Sequence, residues 1–122
     1  MTGSGFGGGL RVNAFNALDV RSINDPDLIC ESSAACPDPW PLFKLTVTNN
    51  IIVNNIAALD GGGISLQDVS RGYIANNTIA NNDATATGRK AFPAGSLDSV
   101  AAPAGIASHP YSSILDQLWQ AA

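Results

Sequence analysis

Val47-Thr48-Asn49-Asn50-Ile51-Ile52-Val53-Asn54-Asn55 returns later in the chain as Ile74-Ala75-Asn76-Asn77-Thr78-Ile79-Ala80-Asn81-Asn82. The offset from Val47 to Ile74 holds throughout the phrase, and all four Asn positions superpose, as do Ile52 and Ile79. Between the copies runs Gly61-Gly62-Gly63-Ile64-Ser65-Leu66, in which Ile64 and Leu66 alternate with Ser65 as in a half-buried strand. A fixed period in the twenties, with no helical periodicity inside it, predicts a β-solenoid.

The residue types suit that architecture. Asn accepts left-handed backbone angles and bonds its own neighbouring backbone, so the Asn pairs fall where a strand must turn a corner. If the corner recurs at each level, Asn50 stacks on Asn77 and Asn55 on Asn82, and their amides bond one another as a buried ladder. The glycines before Ile64 permit a bend and a close approach of neighbouring backbones.

The stretch Gly61–Asn82 resembles one coil of the right-handed parallel β-helix repeat family, which includes pectate-lyase-like folds and many secreted bacterial proteins. Gly7-Gly8-Gly9-Leu10-Arg11-Val12 and Ala104-Gly105-Ile106-Ala107-Ser108-His109 resemble it too. The resemblance implies an all-β, right-handed parallel β-helix from a secreted or cell-surface protein. Its motifs specify a fold and bring no catalytic residue with them.

The repeat is interrupted twice. Gly7–Val12 aligns with Gly61–Leu66 at twice the basic period, which marks residues 16–43 as an inserted loop. Gly105-Ile106 aligns with Gly63-Ile64 at an offset longer than one period, so a second loop is expected within 83–103. The remainder makes about three coils in one domain. After them, Ile114, Leu115, Leu118 and Trp119 share one helical face, and Ser113 with Asp116 has the spacing of a capping box. A short terminal helix over 113–120 is expected to fold across the C-terminal opening. An open edge at the other end invites end-to-end self-association, or adjoining coils of a longer chain.

Charged residues make up 13% of the 122 residues and the net charge is −4, which argues against nucleic acid as a partner. No apolar run approaches the ~20 residues of a membrane span. The start, Met1-Thr2-Gly3-Ser4-Gly5, lacks the basic and apolar regions of a signal peptide, so the chain reads as a piece of a longer protein. Cys30 and Cys36 either close a small disulfide, as an oxidising compartment allows, or remain two free thiols; we expect the bridge. His109 is the single histidine and lies far from both, which argues against a zinc site.

Functional candidates follow from the stacking. Gly3-Ser4-Gly5-Phe6-Gly7-Gly8 spells G-x-G-x-x-G, but no strand precedes it and no helix follows, so no dinucleotide cofactor is expected. The column after the glycine-led strand reads Asn13, Gln67, His109, beside an outward column of Arg11, Ser65 and Ala107. Asp68 adjoins both and could pair with His109 as acid and base. Trp40, in the first loop, either clamps that loop to the solenoid or stacks on a sugar ring. Arg89-Lys90 reads as a solvated loop tip in preference to an anion site. A lyase or hydrolase on this scaffold needs clustered carboxylates, and no carboxylate stacks on another here. Two functions therefore stand: a non-enzymatic structural or binding segment with a polysaccharide or cell-surface partner, or part of a carbohydrate-active enzyme. The carboxylate columns favour the first. No metal and no cofactor are expected.

Overall fold

The computed structural model describes residues 5–16, 43–110, 112–113 and 116. Cys30, Cys36, Trp40 and the Ile114–Trp119 face lie outside the described residues. Nine short strands run through the rest: β1 (Leu10–Asn13), β2 (Lys44–Thr48), β3 (Ile51–Val53), β4 (Ile56–Ala57), β5 (Ile64–Gln67), β6 (Arg71–Ala75), β7 (Thr78–Ala80), β8 (Asp83–Ala84) and β9 (Ile106–His109). All pairing is parallel. The sheets are β1-β5-β9, β2-β6, β3-β7 and β4-β8. The described part is all-β apart from a 3-10 turn at Arg89–Ala91 and helical geometry at Ser113 and Asp116. Among the described residues no helix is long and apolar enough to cross a membrane.

The repeat period sets the register. Val47 pairs with Ile74 and Ile52 with Ile79, each one period on, while Ile64 pairs back to Leu10 and forward to Ile106. The strands end where the backbone turns left-handed. Asn49 and Asn76 have φ of 57° and 54°, and Asn54 and Asn81 have 59° and 52°. The second Asn of each pair makes the ladder. Asn50 Nδ2 donates to Asn77 Oδ1 at 3.0 Å, Asn55 Nδ2 donates to Asn82 Oδ1 at 3.0 Å, and Asn82 Nδ2 continues to Ile52 O at 2.8 Å. The expected burial of this ladder is corrected for Asn50, which is exposed; Asn55, Asn77 and Asn82 are half-buried.

The interior is thin. Ile64 is fully buried, with Val47, Ala57, Val69 and Ala107 also inside. Gly63 has no room for a side chain, since a Cβ there would stand 2.6 Å from Gly105 O and 2.8 Å from Ile79 Cγ2. A backbone carbonyl cannot swing aside, so this glycine lets β5 and β9 approach. Ser65 and Ala107, expected on an outward face, are both buried. The chain doubles back over Ser65: a Cβ on Gly61, where φ is +61°, would lie 2.7 Å from Ser65 Cβ.

Both departures from the repeat have defined beginnings. Ser70 N donates to Phe15 O at 3.3 Å and Ser70 Oγ to Phe43 O at 2.8 Å, so the chain leaves and re-enters at one residue. The second departure begins later than the expected loop at 83–103. Thr85 N still bonds Ala57 O and Gly88 N still bonds Ala58 O, while Ala86 and Ala91 are buried with Leu59. Leu97, at 96% exposure, belongs to the part that does project.

Candidate functional site

Phe6 is the residue around which the polar side chains gather. Its backbone neighbours are pinned by two bonds, Leu59 N to Gly5 O at 2.9 Å and Gly7 N to Asp60 O at 3.0 Å. The ring packs, partly buried, against Leu59, Ala86 and Ala91. Three side chains meet it, one from nearby in sequence and two from distant parts of the chain. Arg11, on β1, holds its guanidinium carbon 5.2 Å from the ring centroid, and Lys90, in the 3-10 turn, holds Nζ at 5.4 Å. The His109 ring, at the end of β9, meets Phe6 edge to face with centroids 5.2 Å apart. Cation–π contacts at exposed sites are worth about 0.5–1 kcal/mol each. That biases a long side chain toward the ring, yet it is less than the about 1.5–3 kcal/mol of a hydrogen bond to a charged group. Arg11 and Lys90 are thus gathered without being locked.

Asp60 lies beneath. Its side chain is 9% exposed and its two carboxylate oxygens lie 3.2 and 3.1 Å from His109 Nε2. An ionised carboxylate only accepts, so Nε2 carries the proton and is committed to Asp60. The expected partner of His109, Asp68, is occupied elsewhere. Its carboxylate accepts from Asn16 Nδ2 at 3.0 Å and from Ser112 N at 2.7 Å. Asp68 (φ 55°) also turns left-handed beside Ala14 (φ 54°), its counterpart one level away. It is a corner residue that ties β5 to the segments around Asn16 and Ser112.

The other sequence candidates divide. Asn13 pairs with Gln67 and Gln67 with His109 along the three-stranded sheet, and both Asn13 and Gln67 are exposed. Arg11 adjoins Ser65, whose burial removes it from any surface site. Phe6 and Asp60 are additions that the repeat did not reveal, and Lys90, singled out with Arg89 as a loop tip, is exposed but holds its Nζ over the Phe6 ring. Phe6 precedes the first aligned strand, and Lys90 lies in the second interruption of the repeat. For Asp60 the sequence signal was its place as the carboxylate immediately before the Gly61-Gly62-Gly63 run. At the C-terminal end, Asp116 N bonds Ser112 O at 2.9 Å, and Ser113 is already helical. The residue that accepts this first helical bond is therefore Ser112, one before the expected Ser113 cap.

Among the described residues no three His, Cys, Asp or Glu side chains gather as a metal site. The arrangement supplies two long-stemmed cations, one Asp-oriented imidazole and an aromatic ring that organises all three. No protein-family model, curated protein or solved structure matches the chain.

Proposed function

We propose that this chain is a segment of a right-handed parallel β-helix that serves a structural or binding role in a secreted or surface-displayed protein, without catalysing a reaction. Three of the five parallel pairings, β2–β6, β3–β7 and β4–β8, keep one constant offset and support the β-helix, since each is what a chain returning once per coil produces. One observation supports the non-catalytic role above others: the carboxylates near the candidate residues are already engaged. Asp68 serves Asn16 and Ser112, and Asp60 serves His109. Asp83 pairs with Ile56 in the β4–β8 register, so no second carboxylate stands in its column. Glycoside hydrolysis needs two carboxyl groups facing across a bond, and calcium-assisted lyase chemistry needs several on one ion.

The Asp60–His109 pair favours a second reading, part of a carbohydrate-active enzyme, because a carboxylate-oriented imidazole is how a general base is held. Incubation with polygalacturonate and alginate, with and without Ca²⁺, separates the two. We expect no unsaturated or reducing ends above background. Product that appears with the wild-type chain and is lost in His109→Ala or Asp60→Asn establishes the enzyme reading instead.

A further inference from the structure

We propose that Arg11 and Lys90, gathered on the Phe6 ring, form a binding site for an oxyanion, a carboxylate or sulfate group. The proposal rests on the binding role above and names the chemistry of its ligand. Four observations carry it. Both cations lie within 5.4 Å of one ring centroid, so their separation cannot exceed the sum of their two distances to it. Neither has a carboxylate at ion-pairing distance among the described residues, because Asp60, the acid beneath the cluster, is turned to His109. Two cations therefore stand against a single carboxylate in the cluster, an excess of positive charge on a chain whose net charge is −4. The cluster is also backed by a packed apolar group, Leu59, Ala86 and Ala91 with Phe6, so its inner side is shielded from water.

Arg11 and Lys90 play unequal parts. A guanidinium offers a planar fork that matches the two oxygens of a carboxylate or the edge of a sulfate, while an ammonium acts as a point charge. Phe6 is a positioning residue: it brings together two side chains that begin far apart in sequence. The His109 ring stands nearly perpendicular to Phe6 and packs against it.

Such an oxyanion reaches the site either free or carried on a polymer. Binding is measured by calorimetry with sodium sulfate and galacturonate as free anions, with dextran sulfate and polygalacturonate as polymer-borne anions, and with neutral dextran. Anion binding is expected, falling at least tenfold in Arg11→Gln/Lys90→Gln and weakening with added salt. Binding by the free anions alone, or by the polymers as well, supports the site and assigns the source. Lys44→Gln removes a cation placed over Tyr73 on another sheet, and it should leave binding unchanged. Phe6→Leu alters no charge and should still weaken binding severalfold, while melting curves verify that each variant is folded. Loss of binding in Lys44→Gln equal to that in the double variant reduces the effect to net charge and overturns the site. Undiminished binding in the folded double variant, or no anion binding at all, overturns it too. Product release in the preceding assay sinks the non-catalytic reading and leaves this site standing, so the two failures are distinguishable.

Discussion

Asn77 makes four hydrogen bonds with one amide. Its Oδ1 accepts from Asn50 N at 2.9 Å and Asn50 Nδ2 at 3.0 Å, and its Nδ2 donates to Val47 O and Ala75 O. Leucine there leaves those partners unmatched in a half-buried corner, at a cost of roughly 1–3 kcal/mol. Asn50 occupies the same corner one level away but is exposed, so water can replace what it loses. Asn50→Leu should therefore destabilise by less than half as much, read as the difference between two denaturant-unfolding curves. Equal losses, or no loss at Asn77, would count against the ladder as a source of stability. The Asn pairs themselves were legible in the sequence because they recur. That the second member of each pair bonds across was legible too, in the expected Asn50–Asn77 and Asn55–Asn82 stacks; that the first takes the left-handed turn was not, since both have the same propensities. Position relative to the strand end decides, with the first residue taking positive φ and the second reaching to the next level. Asp68 was visible as a polar candidate and misassigned, because its partners Asn16 and Ser112 lie in segments that do not repeat.

Among elements, the three-stranded sheet depends on glycine at one level and tolerates its loss at another. Gly63 faces the Gly105 carbonyl across β5 and β9, whereas a Cβ on Gly105 meets nothing within 4 Å. Gly63→Ala must push β9 away or tilt Ile79, an overpacking cost of about 1–3 kcal/mol. Gly105→Ala should stay within about 0.5 kcal/mol of the wild type. Thermal melting of the two variants distinguishes them, and a Gly63→Ala protein as stable as Gly105→Ala would mean that β9 is not seated as described. The strands and their register could be read from the sequence, because an offset between repeats is also a pairing register. The offset that carries Val47 to Ile74 gives β2 with β6 and β3 with β7. The same offset sets Asp83 beside Ile56, the first pair of β4 with β8, whereas the bonds of Thr85 and Gly88, inside the expected loop, were missed. Thr85-Ala86-Thr87 matches Ala58-Leu59-Asp60 at no position, so those bonds leave no trace in the letters. The candidate site fails to show for the same cause. Phe6 and Lys90 meet only after two unlike segments are brought together by their neighbours.

At the scale of the molecule, the ends govern what the chain can join. On the β-helix reading, and among the described residues, β1 to β4 form one open edge; the other is stepped, with β9 standing one strand spacing, about 4.8 Å, beyond β6, β7 and β8. A second copy that continued the coil in register would set its own β1 beside β5, where β9 already sits. Two strands cannot share that position. End-to-end association is thus expected only when β9 is absent. The full chain should remain monomeric across a concentration series, and a chain ending at Gly105 should assemble, with the β1 of each copy replacing the lost β9 of the next. Non-specific aggregation through newly exposed Ile64 must be separated from this, and proline does so. Leu10 N bonds Gly63 O and Ala14 N bonds Gln67 O, so by alternation the Asn13 N–H points away from β5 toward the open edge. Asn13→Pro therefore spares the β1–β5 bonds while blocking the addition of another strand. Light scattering should show mass rising with concentration for the truncated chain, and no such rise once Asn13→Pro is added. Assembly of the full chain as readily as the truncated one, or assembly that ignores the proline, would show that β9 does not control this edge.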